Sequence, residues 1–289
     1  MRAKRERGQI VKIIANRYTV RTESGDRLIA TARGRLRLDS DPYVGDFVTI
    51  TRGKPVATID EILPRKNSLI RPYVANVDAA LIVVAPEPKP DLVLADKIIL
   101  NCYAEGIEPV LVATKNDLGD LAPALQEEYP GIVIISVSSA TKNGLNELSD
   151  LIQGKTVCLA GQSAVGKTSL LNALLDLNLK TDGLSAKIKR GKNTTRHVEI
   201  YEASGGSIVD TCGFSMLECV DLKENELTYY YDEFVAVQDG CRYRGCTHTT
   251  EPDCAVKRAV AEGSINAARY QRYLTIFEEI KEARRKQYD

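Results

Sequence analysis

The hydrophobic pattern divides the chain into three stretches. Residues 8–64 alternate apolar and polar positions in short runs separated by turn-forming residues, which predicts about five strands of a small all-β barrel. An OB-fold barrel fits this spacing, and an SH3-like barrel is the alternative. From Val77 the texture changes to continuous apolar runs, which predict strands buried on both faces. These runs are 80–85, 110–113, 133–136 and 157–160.

Helical segments lie between the apolar runs. Residues 92–103 place apolar side chains at helical spacing, and Gly106 follows the predicted end. Alternating strands and helices predict an α/β domain with a mostly parallel sheet covered on both faces. After about residue 222 the sequence becomes helical and charged. We therefore predict three domains: an all-β barrel at 1–70, an α/β domain at 71–222 and a helical domain at 223–289.

Charge is distributed unevenly along the chain. The formal net charge is zero, yet residues 1–72 hold sixteen Lys or Arg against eight Asp or Glu. A basic region of this kind is typical of proteins that bind phosphate-rich partners such as nucleic acid, although solvated surface charge gives the same composition. The candidate residues for such a contact are Arg2, Lys4, Arg5, Arg7, Arg33, Arg35 and Arg37.

Nothing in the pattern indicates export or a membrane. The first fourteen residues lack the apolar run of a secretory signal, and the longest apolar stretches are far shorter than a bilayer-spanning helix. We therefore expect a soluble, cytoplasmic protein with no membrane association.

Residues 161–168 read Gly-Gln-Ser-Ala-Val-Gly-Lys-Thr and fit the phosphate-binding pattern G-x-x-x-x-G-K-[ST]. A predicted strand precedes this P-loop and a predicted helix follows it. Backbone N–H groups and the helix N-terminus are expected to bind nucleotide phosphates, with Lys167 on the β and γ phosphates and Thr168 on Mg²⁺. The predicted binding residues are Gly161, Gln162, Ser163, Ala164, Val165, Gly166, Lys167, Thr168 and Ser169.

Two elements upstream of the P-loop indicate guanine as the base. Residues 114–117, Thr-Lys-Asn-Asp, follow a buried strand and resemble the N/T-K-x-D element of GTPases, in which the Asp accepts hydrogen bonds from guanine. The loop after the next strand resembles the backbone loop that contacts guanine O6. A P-loop ATPase or small-molecule kinase is the competing enzyme class, which the first element disfavours. The predicted base-binding residues are Thr114, Lys115, Asn116, Asp117, Ser139 and Ala140.

Downstream of the P-loop, residues 210–213, Asp-Thr-Cys-Gly, end a predicted strand and resemble the D-x-x-G element. Asp210 is expected to reach Mg²⁺ through water, and the Gly213 N–H to contact the γ-phosphate. Thr195 or its neighbour Thr194 is placed to ligate Mg²⁺ in the GTP-bound state.

A hydrophobic residue occupies a position that matters for hydrolysis. Phe214 stands where many GTPases have a glutamine that orients the attacking water, so slow intrinsic hydrolysis is expected. His197 is the candidate for this role, and a surface histidine is the alternative. The predicted catalytic residues are therefore Lys167, Thr195 and His197. A nucleotide-gated RNA-binding protein with negligible turnover is the non-enzyme alternative.

A cluster of cysteines and a histidine near the C-terminus has the spacing of a metal site. Cys241-x4-Cys246-x-His248-x5-Cys254 supplies three thiolates and one imidazole, a closed set typical of one structural zinc ion per chain. A disulfide and a redox or iron–sulfur site are the alternatives. The remaining cysteines, Cys102, Cys158, Cys212 and Cys219, are predicted to be packing residues.

The order of these motifs is unusual. Ordinary GTPases place the base-reading elements after the P-loop, whereas here they precede it by about 45 residues, which predicts a circularly permuted domain. This order, with a basic β-module before it and the Cys/His cluster after it, closely resembles the ribosome small-subunit-dependent GTPase A family of bacterial factors in late small-subunit maturation. The resemblance covers essentially the whole chain.

The resemblance implies an N-terminal OB-fold, a circularly permuted P-loop GTPase domain and a C-terminal zinc-binding domain. It further implies GTP hydrolysis stimulated by the small ribosomal subunit, with that subunit, its rRNA, GTP or GDP, Mg²⁺ and zinc as partners. We expect the chain to act as a monomer. Two departures from the family pattern are Cys212 in place of proline and Thr114 in place of the asparagine of many GTPases. Neither removes a phosphate or metal ligand.

Overall fold

The computed structural model describes residues 5–32, 41–70, 73–181, 198–210 and 222–288. The strands are β1 (Arg5–Ile14), β2 (Arg17–Thr22), β3 (Arg27–Ala32), β4 (Phe47–Thr51), β5 (Ala57–Ile62), β6 (Ser68–Ile70), β7 (Tyr73–Ala75), β8 (Ala79–Val84), β9 (Glu108–Ala113), β10 (Val133–Ser136), β11 (Thr156–Ala160), β12 (Glu199–Ala203) and β13 (Gly206–Asp210). The α-helices are α1 (Leu92–Ala104), α2 (Ala122–Glu128), α3 (Leu145–Ile152), α4 (Lys167–Thr181), α5 (Asp232–Val235), α6 (Ala255–Ala261) and α7 (Ala267–Tyr288).

Strands β1 to β5 close into a barrel. Their order is β1-β2-β3-β5-β4, and β4 pairs back onto β1. The β3–β5 pair is parallel, and the other pairs are antiparallel. Alternate side chains point inward, so that Ile10, Val20, Val48, Ile50 and Ile59 are fully buried. This arrangement confirms the OB-fold barrel and removes the SH3-like alternative.

Strands β8 to β13 form the α/β sheet in the order β10-β9-β8-β11-β13-β12. All pairs are parallel except β12–β13, so the mostly parallel sheet is confirmed. One face packs against α1 and α2 through residues such as Ile98 and Leu125, and the other against α3 and α4 through residues such as Leu148 and Leu170. Apolar cover on both faces explains why the strands of this sheet are continuous apolar runs.

Helix α1 follows the sequence prediction closely. The carboxylate of Asp91 accepts a hydrogen bond from the Leu94 N–H at 2.9 Å and so caps the first turn. Ala95 and Ile98 lie on its buried face, as their spacing predicts. The helix ends at Ala104, one residue later than expected, and Gly106 adopts a φ of 64° just beyond it.

The barrel and the α/β sheet are joined, which the sequence pattern did not predict. Strand β1 pairs with β12 in antiparallel register, with Lys12 opposite Glu199. Among the described residues the two sheets therefore run as one continuous sheet of eleven strands. Val11 is buried in the α/β core, whereas its neighbour Ile10 is buried in the barrel core.

The C-terminal module packs against α1 of the α/β domain. Leu100 of α1 lies in one hydrophobic cluster with Phe234, Tyr273 and Ile276, all of which are buried. The described helices include none that is long and apolar enough to cross a membrane.

A buried ionic network lies in this same contact. The Asp96 carboxylate, on α1, accepts hydrogen bonds from Arg269 at 2.7 Å and from Arg272 and the Tyr129 hydroxyl at 2.6 Å each. Arg269 also donates to Glu233 at 2.7 Å. The Asp96 side chain is fully buried, so its charge depends on these partners.

Candidate nucleotide site and metal centre

The P-loop lies at the carboxyl end of β11 and leads directly into α4. Gly161 has a φ of +117°, and a Cβ there would lie 2.3 Å from the Val83 carbonyl oxygen, so only glycine fits. The Lys167 ammonium curls back over the loop and donates to the carbonyls of Gly161 at 2.7 Å and Gln162 at 2.5 Å. Burial lowers the pKa of Lys167, while the carboxylate of Asp210 works in the opposite direction. Lys167 and Asp210 therefore belong to one electrostatic site.

The Thr-Lys-Asn-Asp segment follows β9 and is fastened to the P-loop. The Thr114 hydroxyl donates to the Val165 carbonyl at 2.6 Å. The Lys115 ammonium donates to the Ala164 carbonyl at 3.0 Å and to the Glu87 carbonyl at 2.5 Å. The Thr114 hydroxyl thus links the predicted base-binding and phosphate-binding loops.

A serine that follows β10 orients the acidic residue of this segment. The Ser138 hydroxyl donates to Asp117 Oδ1 at 2.5 Å and accepts from the N–H groups of Ala140 at 3.2 Å and Thr141 at 3.1 Å. Ser138 is fully buried. The resemblance of this loop to one that contacts guanine O6 gave no indication of its hydrogen bond to Asp117.

These segments surround a cleft of about 560 Å³. The predicted residues that line it are Lys115, Asp117, Ser139, Ala140, Gly166 and Ser169. Lys142, Asn172 and Asp176 also line the cleft, although they belong to none of the sequence motifs. Positions 169, 172 and 176 share one face of α4. Following the 3.6-residue period of this helix from Ser169 would therefore have predicted Asn172 and Asp176, but not Lys142.

Oxygen donors suited to Mg²⁺ lie near the P-loop. Thr168 is exposed in the first turn of α4, and Asp210 ends β13, where its charge acts to raise the pKa of Lys167. A hydroxyl and a carboxylate are hard oxygen ligands of the kind that Mg²⁺ prefers. The other predicted residues of this region, Thr194, Thr195, His197, Gly213 and Phe214, lie outside the described residues.

The four predicted metal ligands are brought together in the C-terminal module. The ligand atoms of Cys241, Cys246, His248 and Cys254 all lie within 4.8 Å of one another. His248 Nδ1 is 3.3 Å from the Cys254 sulfur and 3.6 Å from the Cys241 sulfur, and these two sulfurs are 3.9 Å apart. A tetrahedral zinc ion at ordinary bond lengths separates its ligand atoms by roughly 3.6–3.8 Å. The cluster therefore fits a metal of this kind.

The surroundings orient the histidine for ligation. His248 Nε2 is 2.9 Å from the Thr228 hydroxyl, which leaves Nδ1 directed at the thiols. Burial lowers the pKa of His248, so the imidazole is neutral and Nδ1 has a lone pair to donate. Cys102 and Cys158 lie apart from this cluster, buried in the α/β core. Cys212 and Cys219 lie outside the described residues.

The strand order explains how distant motifs form one site. The carboxyl ends of parallel strands meet at the same edge of a sheet, where β9, β10, β11 and β13 deliver Asp117, Ser139, Gly161 and Asp210. The P-loop strand lies centrally in the sheet but late in the chain, after both loops that are predicted to bind the base. The fold and the site therefore define a circularly permuted P-loop GTPase.

Comparison with known proteins identifies the family. The sequence profile of the RsgA GTPase family matches residues 62–220, more than half of the chain. A protein of Geobacillus thermodenitrificans named small ribosomal subunit biogenesis GTPase RsgA is 42% identical over 95% of this chain and 97% of its own. The chain belongs to the RsgA GTPase family.

Solved structures give the same result. The crystal structure of YjeQ from Thermotoga maritima superposes with a TM-score of 0.82 at 35% identity, covering 96% of this chain and 99% of that one. The structure of YloQ, described as a circularly permuted GTPase, superposes with a TM-score of 0.79 at 33% identity, covering 97% of this chain and 96% of YloQ.

Proposed function

We propose that this GTPase acts on the small ribosomal subunit during its late maturation and that binding to the subunit accelerates GTP hydrolysis. The observation that carries the proposal is the convergence of the base-reading loops and the P-loop on one cleft, in a chain that matches small-subunit biogenesis GTPases over nearly its whole length. We assign RNA binding to residues 1–70, GTP hydrolysis to 71–222 and metal binding to 223–289.

In the cleft, we assign guanine recognition to Asp117, which Ser138 holds in place. The Lys115 stem covers the base, and the loop at Ser139 and Ala140 contacts guanine O6. This assignment disfavours an ATPase or small-molecule kinase because adenine lacks the N1–H and exocyclic donor pair that a carboxylate accepts. Comparing GDP and ADP by calorimetry tests it.

The phosphates lie against the P-loop N–H groups, and Lys167 turns from the loop carbonyls to the β and γ phosphates. Thr168 and Asp210 are the described residues that would hold Mg²⁺, through a hydroxyl and a carboxylate. When bound, this ion neutralises charge that develops on the phosphate oxygens. Thr195 and His197 remain our candidates for completing the site in the GTP state, the first on Mg²⁺ and the second on the attacking water.

We propose that the C-terminal cluster binds one zinc ion with a structural role. All four positions are filled by protein ligands, which leaves no place for substrate or water. The donor set of three thiols and a neutral imidazole supports this assignment, and metal analysis of protein purified without chelator should give about one zinc per chain.

We propose further that the basic arm and barrel contact rRNA. Arg5 and Arg7 are exposed on β1, and Arg2, Lys4, Arg33, Arg35 and Arg37 lie outside the described residues. Neutralising several of these residues should weaken small-subunit binding and reduce the slope of log affinity against log salt by roughly 0.7–0.9 per lost phosphate contact. An unchanged slope would locate the RNA contact elsewhere.

The test of the proposed function is single-turnover GTP hydrolysis with purified small subunits, with large subunits and with neither. We expect stimulation by small subunits only, because the site lacks a glutamine at position 214 and depends on a partner to order the water. The Lys167→Ala variant serves as the inactive control. Equal stimulation by both subunits would contradict the proposed specificity for the small subunit. No stimulation by either subunit would contradict the proposal and favour a nucleotide-gated binding protein.

A further inference from the structure

The barrel contributes a lysine to a row of charges that ends at the proposed magnesium site. Lys12 of β1 lies opposite Glu199 of β12, and Glu199 lies opposite Asp210 of β13. Residues directly opposite one another in antiparallel strands point to the same face of a sheet. The three charged side chains therefore form a row that crosses from the barrel into the GTPase sheet.

This row lies on the face of the sheet that carries the P-loop helix. The adjacent residues Val11, Ile200 and Val209 point to the other face and are buried in the core under α1. Successive side chains alternate between faces, and α4 packs against β12 on the remaining face. The Asp210 charge acts on Lys167, the first residue of α4, which is consistent with this placement.

The charges along the row are arranged in a specific order. Lys12 Nζ lies 2.7 Å from Glu199 Oε2, and the Tyr201 hydroxyl donates to the same oxygen at 3.2 Å. The Lys12 and Glu199 side chains are only 31% and 19% exposed, so solvent screens their charges incompletely. Glu199 and Asp210 are like charges opposite each other, an arrangement that is unfavourable without compensation. Lys12 supplies that compensation from the barrel.

We propose that Lys12 is a positioning residue for GTP hydrolysis: by pairing with Glu199 it keeps this carboxylate from competing with Asp210 for Mg²⁺. The inference rests on the proposed role of Asp210 in holding Mg²⁺. It makes the OB-fold barrel a part of the hydrolytic site as well as a surface for RNA. A partner that displaces β1 from β12 changes the hydrolysis rate through this row.

The test is the Mg²⁺ dependence of single-turnover GTP hydrolysis by full-length variants, with GDP affinity measured in parallel. Lys12→Ala should lower the rate about tenfold with GDP affinity unchanged. Repulsion between two like charges a few ångströms apart at a protein surface changes an equilibrium or rate constant by about this factor. Lys12→Arg should retain the rate. In the Lys12→Ala background, Glu199→Gln should restore the rate, because position 199 then carries no carboxylate that could compete with Asp210 for Mg²⁺.

The charge-reversed pair, Lys12→Glu with Glu199→Lys, distinguishes a positioning role in hydrolysis from a purely structural ion pair between the two strands. A lysine at position 199 would lie directly opposite Asp210 and draw its carboxylate from Mg²⁺. We therefore expect the reversed pair to remain slow and to require about tenfold more Mg²⁺ for half-maximal rate. Lys155→Ala is the matched control and should change neither quantity. It removes an ion pair in which Lys155 Nζ lies 2.8 Å from Glu108 Oε2. This pair lies at the amino ends of β11 and β9, whereas the cleft lies at the carboxyl ends.

Restoration of both rate and Mg²⁺ dependence by the reversed pair would overturn the proposal, as would a wild-type rate in Lys12→Ala. Thermal unfolding of each variant confirms that it is folded. Asp210→Asn distinguishes the role of Lys12 from the role of Asp210. If this variant loses Mg²⁺-dependent turnover while the Lys12 variants behave as wild type, only the present inference fails. If Asp210→Asn itself hydrolyses GTP with unchanged Mg²⁺ dependence, the proposed role of Asp210 fails.

Discussion

The nucleotide cleft and the metal centre are built in opposite ways. The cleft is lined by residues between 115 and 176, which meet only because parallel strands end at one edge of a sheet. The metal ligands lie within 14 consecutive residues, 241–254; three of them are buried and Cys241 is partly buried beside the aromatic core of their own module. The first site is a product of chain topology and the second of a local loop.

This difference predicts how each site responds to mutation. Cleft residues such as Asp117 lie at strand ends and contribute little to the core, so replacing them should change nucleotide chemistry and leave the fold intact. Metal ligands contribute the folding free energy of their module, so replacing them should unfold it and leave nucleotide affinity intact. The predictions below test this division from the largest expected effect to the smallest.

Cys246→Ser should have the largest effect. Metal binding by three cysteines and a histidine contributes on the order of 10 kcal/mol to folding of the module. Loss of one thiolate leaves only three protein ligands for the metal. Zinc content should fall from about one per chain, and proteolysis should cut within 223–289. Cys102→Ala, a buried cysteine outside the cluster, is the control that should retain zinc. A drop in GDP affinity as large as the loss of stability would break the proposed division between the sites.

Asp96→Asn should come next. It weakens the buried network between α1 and α7, and removing one partner of such a network costs about 3–5 kcal/mol because Arg269 and Arg272 lose their shared carboxylate. Chemical denaturation should show this loss, while zinc content stays at about one per chain. Glu108→Gln, which breaks an exposed ion pair, should cost less than about 1 kcal/mol. Equal costs for the two variants would mean that the network does not hold the C-terminal module.

Lys167→Ala should reduce GTP turnover by about 10²–10³-fold, the usual loss when one preorganised charge at a transition state is removed. Its unfolding midpoint should stay close to that of the wild type, because within the described part of the chain the Lys167 ammonium donates hydrogen bonds to P-loop carbonyls and not to the core. Turnover at the wild-type rate would remove the P-loop from the reaction. Lys155→Ala is the matched control of equal charge change.

Asp117→Asn should have the smallest effect on stability and a selective effect on the base. The amide presents a donor where guanine also presents donors, so GTP affinity should fall by about tenfold or more, and xanthosine triphosphate should become the preferred ligand. Competition binding with the two nucleotides measures this exchange. An unchanged preference would show that Asp117 does not contact the base.

Sequence reasoning succeeded where the determinants are local. Three features depend on residues within about one element: the P-loop, the ends of α1 and the spacing of the metal ligands. The structure has a loop between β11 and α4, a helix that ends within one residue of the predicted position, and four ligand side chains in one cluster. The roles of the cleft residues stay predictions, as do those of Thr195, His197 and Gly213.

Contacts between distant segments could not be predicted from one sequence. The β1–β12 pairing joins positions 12 and 199, and the Asp96 network joins positions 96 and 269. A polar residue in a strand or helix carries no signal of which distant partner it meets. The alternation within β1 indicated a half-buried strand but gave no sign that Val11 and Ile10 serve two different cores.

The measurement that most directly tests the central claim is amide hydrogen exchange with and without Mg²⁺-GDP. The account predicts slower exchange on nucleotide binding in three separate segments, 114–117, 138–142 and 161–169, because phosphates and base bind N–H groups there. Exchange in 241–254 should be unchanged. Protection confined to a single one of these segments, or found mainly in the metal centre, would contradict a cleft assembled by the permuted sheet.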